Sequence, residues 1–164
     1  MSERAESLAA ELEAVNVEVI AFAESCPASV WTTPCVGDGR TVAAVTRHVG
    51  GAYIAHLRLV QAAASGELVP AMFSDWEVIH QGNAVSAEKY ANADRGETIA
   101  SLQRNGANLA AMIRDLTDEQ LGCAAVVPIF SSESRTVAEI IAFPVIDHPR
   151  GHLVGLRATV EGRA

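Results

Sequence analysis

The stretch RTVAAVTRHVGGAYIAHLRLVQAAASG, residues 40–66, carries the clearest helical pattern in this sequence. Its recurring apolar residues are Val42, Val45, Val49, Ala52, Ile54 and Leu57. Most of these lie three or four positions apart, which places them on one face of an α-helix. Thr41 is suited to cap the start of that helix, and Ser65-Gly66 is suited to end it. The stretch therefore predicts a long amphipathic helix with His48 in its middle.

Three further segments have the periodicity of amphipathic helices: residues 2–25, 76–116 and 136–160. The second of them contains a polar stretch at 92–96, which we expect to bend or break it. Four long helical segments joined by long loops predict an all-α fold, a four-helix bundle. The sequence shows no internal repeat and no linker, which predicts a single domain over residues 1–164.

Composition agrees with this fold class. Hydrophobic residues make up 49% of the chain but aromatic residues only 5%, so Ala, Val, Leu and Ile must fill most of the core. Alanine has the highest intrinsic helix propensity, because it loses no side-chain entropy in a helix. A core of this kind favours helices over strands.

Two loops and the last segment depart from regular helix. Residues 27–39 are rich in turn formers, and we expect Trp31 to be buried there and to hold the loop in place. Residues 124–130 have an extended or β-like pattern. Pro144 and Pro149 interrupt the last segment, so we expect a kink or a restart of the helix near them.

The charge and the cysteines limit the classes of function. The formal net charge is -8 and the pI is about 5.0, so the surface repels phosphate backbones and a nucleic-acid partner is not expected. No apolar run reaches the roughly 18 residues of a membrane-spanning helix, and the N-terminal residues lack a signal-peptide pattern. Cys26, Cys35 and Cys123 have no close spacing, which is typical of free thiols. These features predict a cytoplasmic protein without a membrane partner.

Histidines are the residues whose spacing points to chemistry. His148 and His152 lie four positions apart, so on one helix they project from the same face. Two imidazoles at that spacing can hold one metal ion, although such a pair also arises by chance. Small residues follow His48 one to two turns further on; they are Gly51, Ala52 and Ala55. They leave room for a ligand or substrate, while the alternative for His48 is a hydrogen-bonded core histidine.

Several short motifs occur in the order found in a known family. They are Trp31, Arg40-Thr41-Val42 leading to His48, and His148-x-x-x-His152 followed by Leu153 and Arg157. Together they resemble the DinB-like superfamily, which includes mycothiol- and bacillithiol-dependent enzymes and maleylpyruvate isomerase-like proteins. The resemblance extends over nearly the whole chain. It implies a DinB-like four-helix bundle in which His48, His148 and His152 hold one zinc, nickel or iron ion.

Three protein ligands leave coordination positions open for water and substrate, which is typical of a catalytic metal site. The leading hypothesis is a metal-dependent S-transferase or isomerase that acts on a small molecule with mycothiol or bacillithiol as co-substrate. The alternatives are a non-catalytic bundle that binds metal or a small ligand, and a metal-dependent hydrolase. All three use the same open site, so the sequence does not separate them.

Other polar residues near these motifs each have two interpretations. His56 lies eight residues after His48 and is expected at the periphery or lining the pocket, not as a ligand. Asp147 is either an acceptor for a metal-bound histidine or a helix cap. His80 and Asn83 either reach the cavity or lie exposed on their helix. We also expect a two-fold homodimer, because the first and third segments offer wide apolar faces.

Overall fold

Four long helices form a bundle in the computed structural model, which describes residues 2–162. They are α1 (Glu3–Ser25), α3 (Val42–Ala64), α5 (Arg95–Arg114) and α8 (Asp147–Glu161). The shorter helices are α2 (Ala28–Trp31), α4 (Trp76–Lys89), α6 (Asp118–Gly122) and α7 (Val137–Ile140). A 3-10 turn covers Ala71–Phe73, and β1 (Ala124–Ala125) pairs antiparallel with β2 (Arg135–Thr136).

Aliphatic side chains fill the space between the long helices. Helix α5 packs along both α1 and α3, and α8 contacts α1 and α3. The fully buried leucines and isoleucines include Leu12, Leu59, Leu102, Leu109, Ile113 and Leu156. Burying one such side chain stabilises the fold by about 1.5–3 kcal/mol relative to leaving it in water. The prediction of an all-α four-helix bundle is confirmed, and no helix of the described chain is long and apolar enough to cross a bilayer.

The helix ends follow the capping residues that the sequence offers. Thr41 Oγ1 accepts a hydrogen bond from the Ala44 backbone N–H at 3.1 Å, which fixes the start of α3. The expected break at 92–96 is confirmed, since α4 ends at Lys89 and α5 begins after the cap Asp94.

The structure corrects the predicted lengths of the extended stretch 124–130 and of the loop 27–39. Only two residues of the β-like stretch 124–130 form a strand, because the chain turns back at Val127, whose carbonyl accepts from the Phe130 N–H at 2.9 Å. Residues 28–31 of the first loop form a short helix, too brief to produce a periodic pattern in the sequence. As expected, Trp31 is buried, and its Nε1–H donates to the Ala93 carbonyl at 2.8 Å.

The last helical region restarts, as its prolines predict. After α7, the chain kinks over residues Ile141–Ile146, where Phe143 has the extended values φ −139° and ψ 116°. A residue before proline avoids the helical region, which explains why Phe143 leaves it. Helix α8 begins at Asp147, so Pro149 is its third residue, where a missing backbone N–H breaks no helical hydrogen bond.

Candidate metal centre

Three histidines from two helices meet at one point. His48 comes from the first half of α3, and His148 and His152 come from the first two turns of α8. One potential ligand atom from each of the three lies within 4.8 Å of the others. Nε2 of His48 lies 3.1 Å from Nε2 of His148, and the ring centroids of His148 and His152 are 4.6 Å apart.

The distances and the protonation of these rings fit a shared metal ion. Two nitrogens bound tetrahedrally at about 2.0–2.1 Å from one zinc ion lie roughly 3.3 Å apart, close to the separation seen for His48 and His148. Burial lowers the pKa of His48 to about 3, with repulsion by Arg40 as a further cause. Burial also lowers the pKa values of His148 and His152. All three rings are therefore neutral near pH 7, as metal ligands must be.

Local structure explains why His148 and His152 face the same way. The restart of the chain at Asp147 begins a new helix, so the four-residue spacing becomes one turn along one face. Pro149 does not disturb this turn because it lies among the first residues of the helix. Both rings then point toward α3, where His48 lies.

Asp38, which was not among the site residues predicted from the sequence, lies next to His152. Asp38 Oδ2 is 3.7 Å from His152 Nδ1, and Asp38 also pairs with Arg40, whose Nε lies 2.5 Å from Oδ1. Hydrogen bonds from Arg40 lower the pKa of Asp38. The sequence feature that could have pointed to Asp38 is its position between Gly37 and Gly39, shortly before the Arg40-Thr41-Val42 motif. That pattern is common in turns, so it does not by itself indicate a functional residue.

An open cleft of about 420 Å³ is lined by His148 and His152 of the three histidines. Residues 35–38 line one side of it, and α8 lines the other with Asp147, His148, Gly151, His152 and Gly155. Gly51, Ala52 and Ala55 are half-buried on α3 and do not line this cleft. The pocket predicted beside these three small residues stays a prediction.

His56 forms a buried wall behind the cluster. Only 5% of the residue is exposed, its ring lies edge-on to that of His148 at a centroid distance of 5.2 Å, and it stacks on Phe73 at 6.4 Å. Burial lowers its pKa to about 4. Nδ1 of His56 has no hydrogen-bond partner within residues 2–162. The structure therefore places His56 against His148, outside the group of three.

The remaining predicted residues lie further from the histidines. Asp147 is exposed, and its carboxylate contacts Arg150 at 3.2 Å, not a histidine ring. Asn83 is half-buried on α4, while His80 is exposed and stacks on Trp76 at 5.7 Å.

Arg157 pairs with Glu18 at 2.8 Å on the outside of the bundle. Cys26, Cys35 and Cys123 are free thiols, as predicted. Burial raises the pKa values of Cys26 and Cys35, so neither thiol is activated for nucleophilic attack near pH 7.

Comparison with solved structures finds the same bundle in proteins of distant sequence. One is YfiT from Bacillus subtilis, which is described as a probable metal-dependent hydrolase with an unusual four-helix bundle topology. YfiT superposes with a TM-score of 0.74 at 19% sequence identity, and the match covers 99% of this chain and 87% of YfiT. An uncharacterised protein from Clostridium difficile 630 has a TM-score of 0.74 at 18% identity, covering 96% of this chain and 95% of that one.

The mycothiol-dependent maleylpyruvate isomerase superposes with a TM-score of 0.73 at 14% identity, covering 95% of this chain. This chain spans only 63% of the length of that isomerase. A comparison with curated proteins gives no match. At these identities the likeness establishes the fold.

The family follows from the sequence itself. The sequence model of the DinB superfamily matches residues 11–153, which is most of the chain and includes His48, His148 and His152. The chain therefore belongs to the DinB superfamily.

Proposed function

We propose that this protein is a metal-dependent enzyme that transfers a low-molecular-weight thiol to an electrophile, or uses such a thiol to isomerise its substrate. The observation that carries the proposal is the meeting of His48, His148 and His152, neutral and with ligand atoms within 4.8 Å of one another, beside an open cleft that His148 and His152 line. These residues would hold one zinc, nickel or iron ion. When bound, such an ion lowers the pKa of a coordinated thiol, so that the thiolate forms near neutral pH.

The cleft supplies the other requirements of this chemistry. Its volume of about 420 Å³ admits a small organic molecule. The three histidines approach from α3 and α8 only, which leaves the cleft side of the site free for thiol and substrate. The likeness in fold to the mycothiol-dependent isomerase supports mycothiol, or the related bacillithiol, as the first thiols to test.

A metal-dependent hydrolase is the second candidate. The fold likeness to YfiT, a probable metal-dependent hydrolase, covers more of that protein than the likeness to the isomerase does. A hydrolase needs a base close to the attacking water. Asp38 is poorly suited to that role because Arg40 holds its pKa low. Asp147, at the rim of the cleft, is the carboxylate that such an enzyme would use.

The decisive experiment measures metal and thiol dependence together. The protein is loaded with zinc, nickel or iron and incubated with mycothiol or bacillithiol and 1-chloro-2,4-dinitrobenzene. In the expected reaction the thiol sulfur bonds to the chlorine-bearing carbon, chloride leaves, and the thiol proton passes to solvent. We expect turnover that a chelator abolishes and that His48→Ala abolishes, while His80→Ala, on an exposed helix, retains it.

The outcomes separate the three hypotheses. Turnover of ester or amide substrates without any thiol would support the hydrolase. Metal binding without turnover in either assay, across a panel of electrophiles, would support a non-catalytic binding protein. A chain that binds no divalent metal would overturn both enzyme hypotheses and leave only a bundle that binds a small ligand.

The other expectations from the sequence remain predictions. We propose that the chain acts as one domain in the cytoplasm, without a nucleic-acid partner. We also propose a two-fold homodimer, supported by the exposed apolar residues Trp76, Val78 and Val85 on α4. Light scattering at low micromolar concentration that gives only the 17.3 kDa monomer would reject the dimer.

A further inference from the structure

We infer that Asp38 is a positioning residue that orients the ring of His152 by accepting a hydrogen bond from its Nδ1–H. Oδ2 of Asp38 lies 3.7 Å from Nδ1 of His152. With a proton on Nδ1, the lone pair is on Nε2, which is then the atom available to a metal ion. This inference rests on the proposed metal site.

The carboxylate of Asp38 is itself held in place. Arg40 binds it with two parallel hydrogen bonds, from Nε to Oδ1 at 2.5 Å and from Nη2 to Oδ2 at 2.6 Å. The Arg40 backbone N–H adds a third contact to Oδ1 at 3.3 Å. Such bidentate pairs fix both distance and plane. Asp38 therefore presents Oδ2 to His152 from one defined direction.

The Asp38 loop, residues 35–40, is closed at its base and bent at its tip. Pro34 and Thr41 pair across the base, and the Cys35 N–H donates to the Arg40 carbonyl at 2.7 Å. Gly37 and Gly39 flank Asp38 with φ values of 78° and 82°, which other residues rarely adopt. The backbone of this loop thus defines where Asp38 points.

The same loop is fastened to the helix that carries His152. The Val36 N–H donates to Thr159 Oγ1 at 2.8 Å. The Val36 carbonyl oxygen lies so close to α8 that a Cβ on Gly155 would be only 2.9 Å away. Gly155 and Thr159 follow His152 by three and seven residues, so all three lie on nearly one face of α8. The contact between Asp38 and His152 therefore belongs to a packed interface, not to a free loop tip.

Among the three histidines, this arrangement distinguishes His152. Nδ1 of His148 has no hydrogen-bond partner in the described chain. The other carboxylate of the cleft, Asp147, contacts Arg150. A separation of 3.7 Å exceeds that of a formed hydrogen bond, about 2.7–3.2 Å. The inference therefore requires a small movement of the His152 ring or of the Asp38 side chain in the folded protein, with or without metal.

The test compares Asp38→Ala and Asp38→Asn with a matched control. The control is Glu18→Gln, which removes the ion pair between Glu18 and Arg157 on the outside of the bundle. Arg157 lies on α8, the helix that also carries His152. Zinc affinity is measured by competition with a chromophoric chelator. Nitrogen-15 NMR reports which nitrogen of His152 carries the proton in the metal-free protein. Thermal unfolding of every variant shows whether it is folded at the assay temperature.

We expect the wild type to carry the His152 proton on Nδ1, and Asp38→Ala to lose that preference. We expect Asp38→Ala to bind zinc 10- to 100-fold more weakly. Asp38→Asn, whose amide oxygen still accepts a hydrogen bond, should recover part of the affinity, and Glu18→Gln should match the wild type. If Asp38→Ala is unfolded, Asp38→Asn decides.

Two results would overturn the inference in distinguishable ways. Unchanged zinc affinity and an unchanged His152 tautomer in both Asp38 variants would refute the positioning role while leaving the metal site intact. A wild-type protein that binds no zinc, nickel or iron would instead refute the proposed function on which the inference rests.

Discussion

Replacing His56 by phenylalanine should remove part of the acid sensitivity of the metal-free protein. His56 is buried between His148 and Phe73, and burial lowers its pKa to about 4. In the unfolded chain its pKa returns to about 6.5. Below that value the unfolded chain binds a proton that the folded chain does not, so the free energy of unfolding falls as the pH falls.

The size of the effect follows from the two pKa values. Above about pH 7.5 His56 is neutral in both the folded and the unfolded chain and contributes almost no pH dependence. Between about pH 7.5 and pH 5 the difference in proton binding lowers the free energy of unfolding by about 2 kcal/mol. The loss approaches about 3 kcal/mol as the pH nears 4, where the folded protein also begins to bind the proton. Phenylalanine does not bind a proton, so His56→Phe should lack the part of this loss in unfolding free energy that His56 causes.

The assay is urea unfolding in the presence of a chelator at about pH 7.5 and about pH 5. The quantity to compare is the change in unfolding free energy between the two pH values, since the substitution also alters packing equally at both. His80→Phe is the control, because His80 is exposed on α4, and it should keep the wild-type pH dependence. If His56→Phe loses as much stability between the two pH values as the wild type does, the assignment of His56 as a buried neutral group is refuted.

Three further predictions test the site and its supports. His48→Ala, His148→Ala and His152→Ala should each reduce the metal content measured by elemental analysis well below that of the wild type, whereas His80→Ala should not; full occupancy in any of the three removes that residue from the ligand set. Gly155→Ala should lower the free energy of unfolding in urea by about 1–3 kcal/mol, because the added Cβ would lie 2.9 Å from the Val36 carbonyl oxygen. The control Gly151→Ala has open space around the added Cβ and should raise the free energy of unfolding by up to about 1 kcal/mol. Equal effects of the two substitutions would contradict the close packing of the Asp38 loop on α8. Ala52→Leu should leave metal content and melting temperature near normal and reduce activity strongly if the small residues after His48 form a pocket; early melting would indicate a tight helix contact instead.

The sequence was sufficient for the features that depend on local periodicity and capping. Apolar spacing located the long helices, and Thr41 marked the start of α3. The four-residue spacing of His148 and His152 predicted their common face, since the geometry of one helical turn needs no tertiary information.

The features that the sequence did not reveal depend on contacts between distant segments. Asp38 and His152 are far apart in the chain, and only the packing of the Asp38 loop on α8 brings them together. Asp147, adjacent to His148 in sequence, was the more obvious carboxylate, but the structure turns it toward Arg150. His56 was assigned to the periphery or the pocket wall, and its contact with His148 depends on how α8 lies across α3.

Because 100 residues separate His48 from His148 along the chain, metal binding at the proposed site would require the bundle to be completely folded. A divalent ion held by all three histidines would cross-link the second long helix to the last one, and the unfolded chain has no such arrangement to offer. Free metal at a thousandfold excess over its Kd would then add about 4 kcal/mol to the free energy of unfolding. Loss or displacement of α8 would release the ion even if the rest of the bundle stayed folded, so metal retention reports on the integrity of the whole helical assembly.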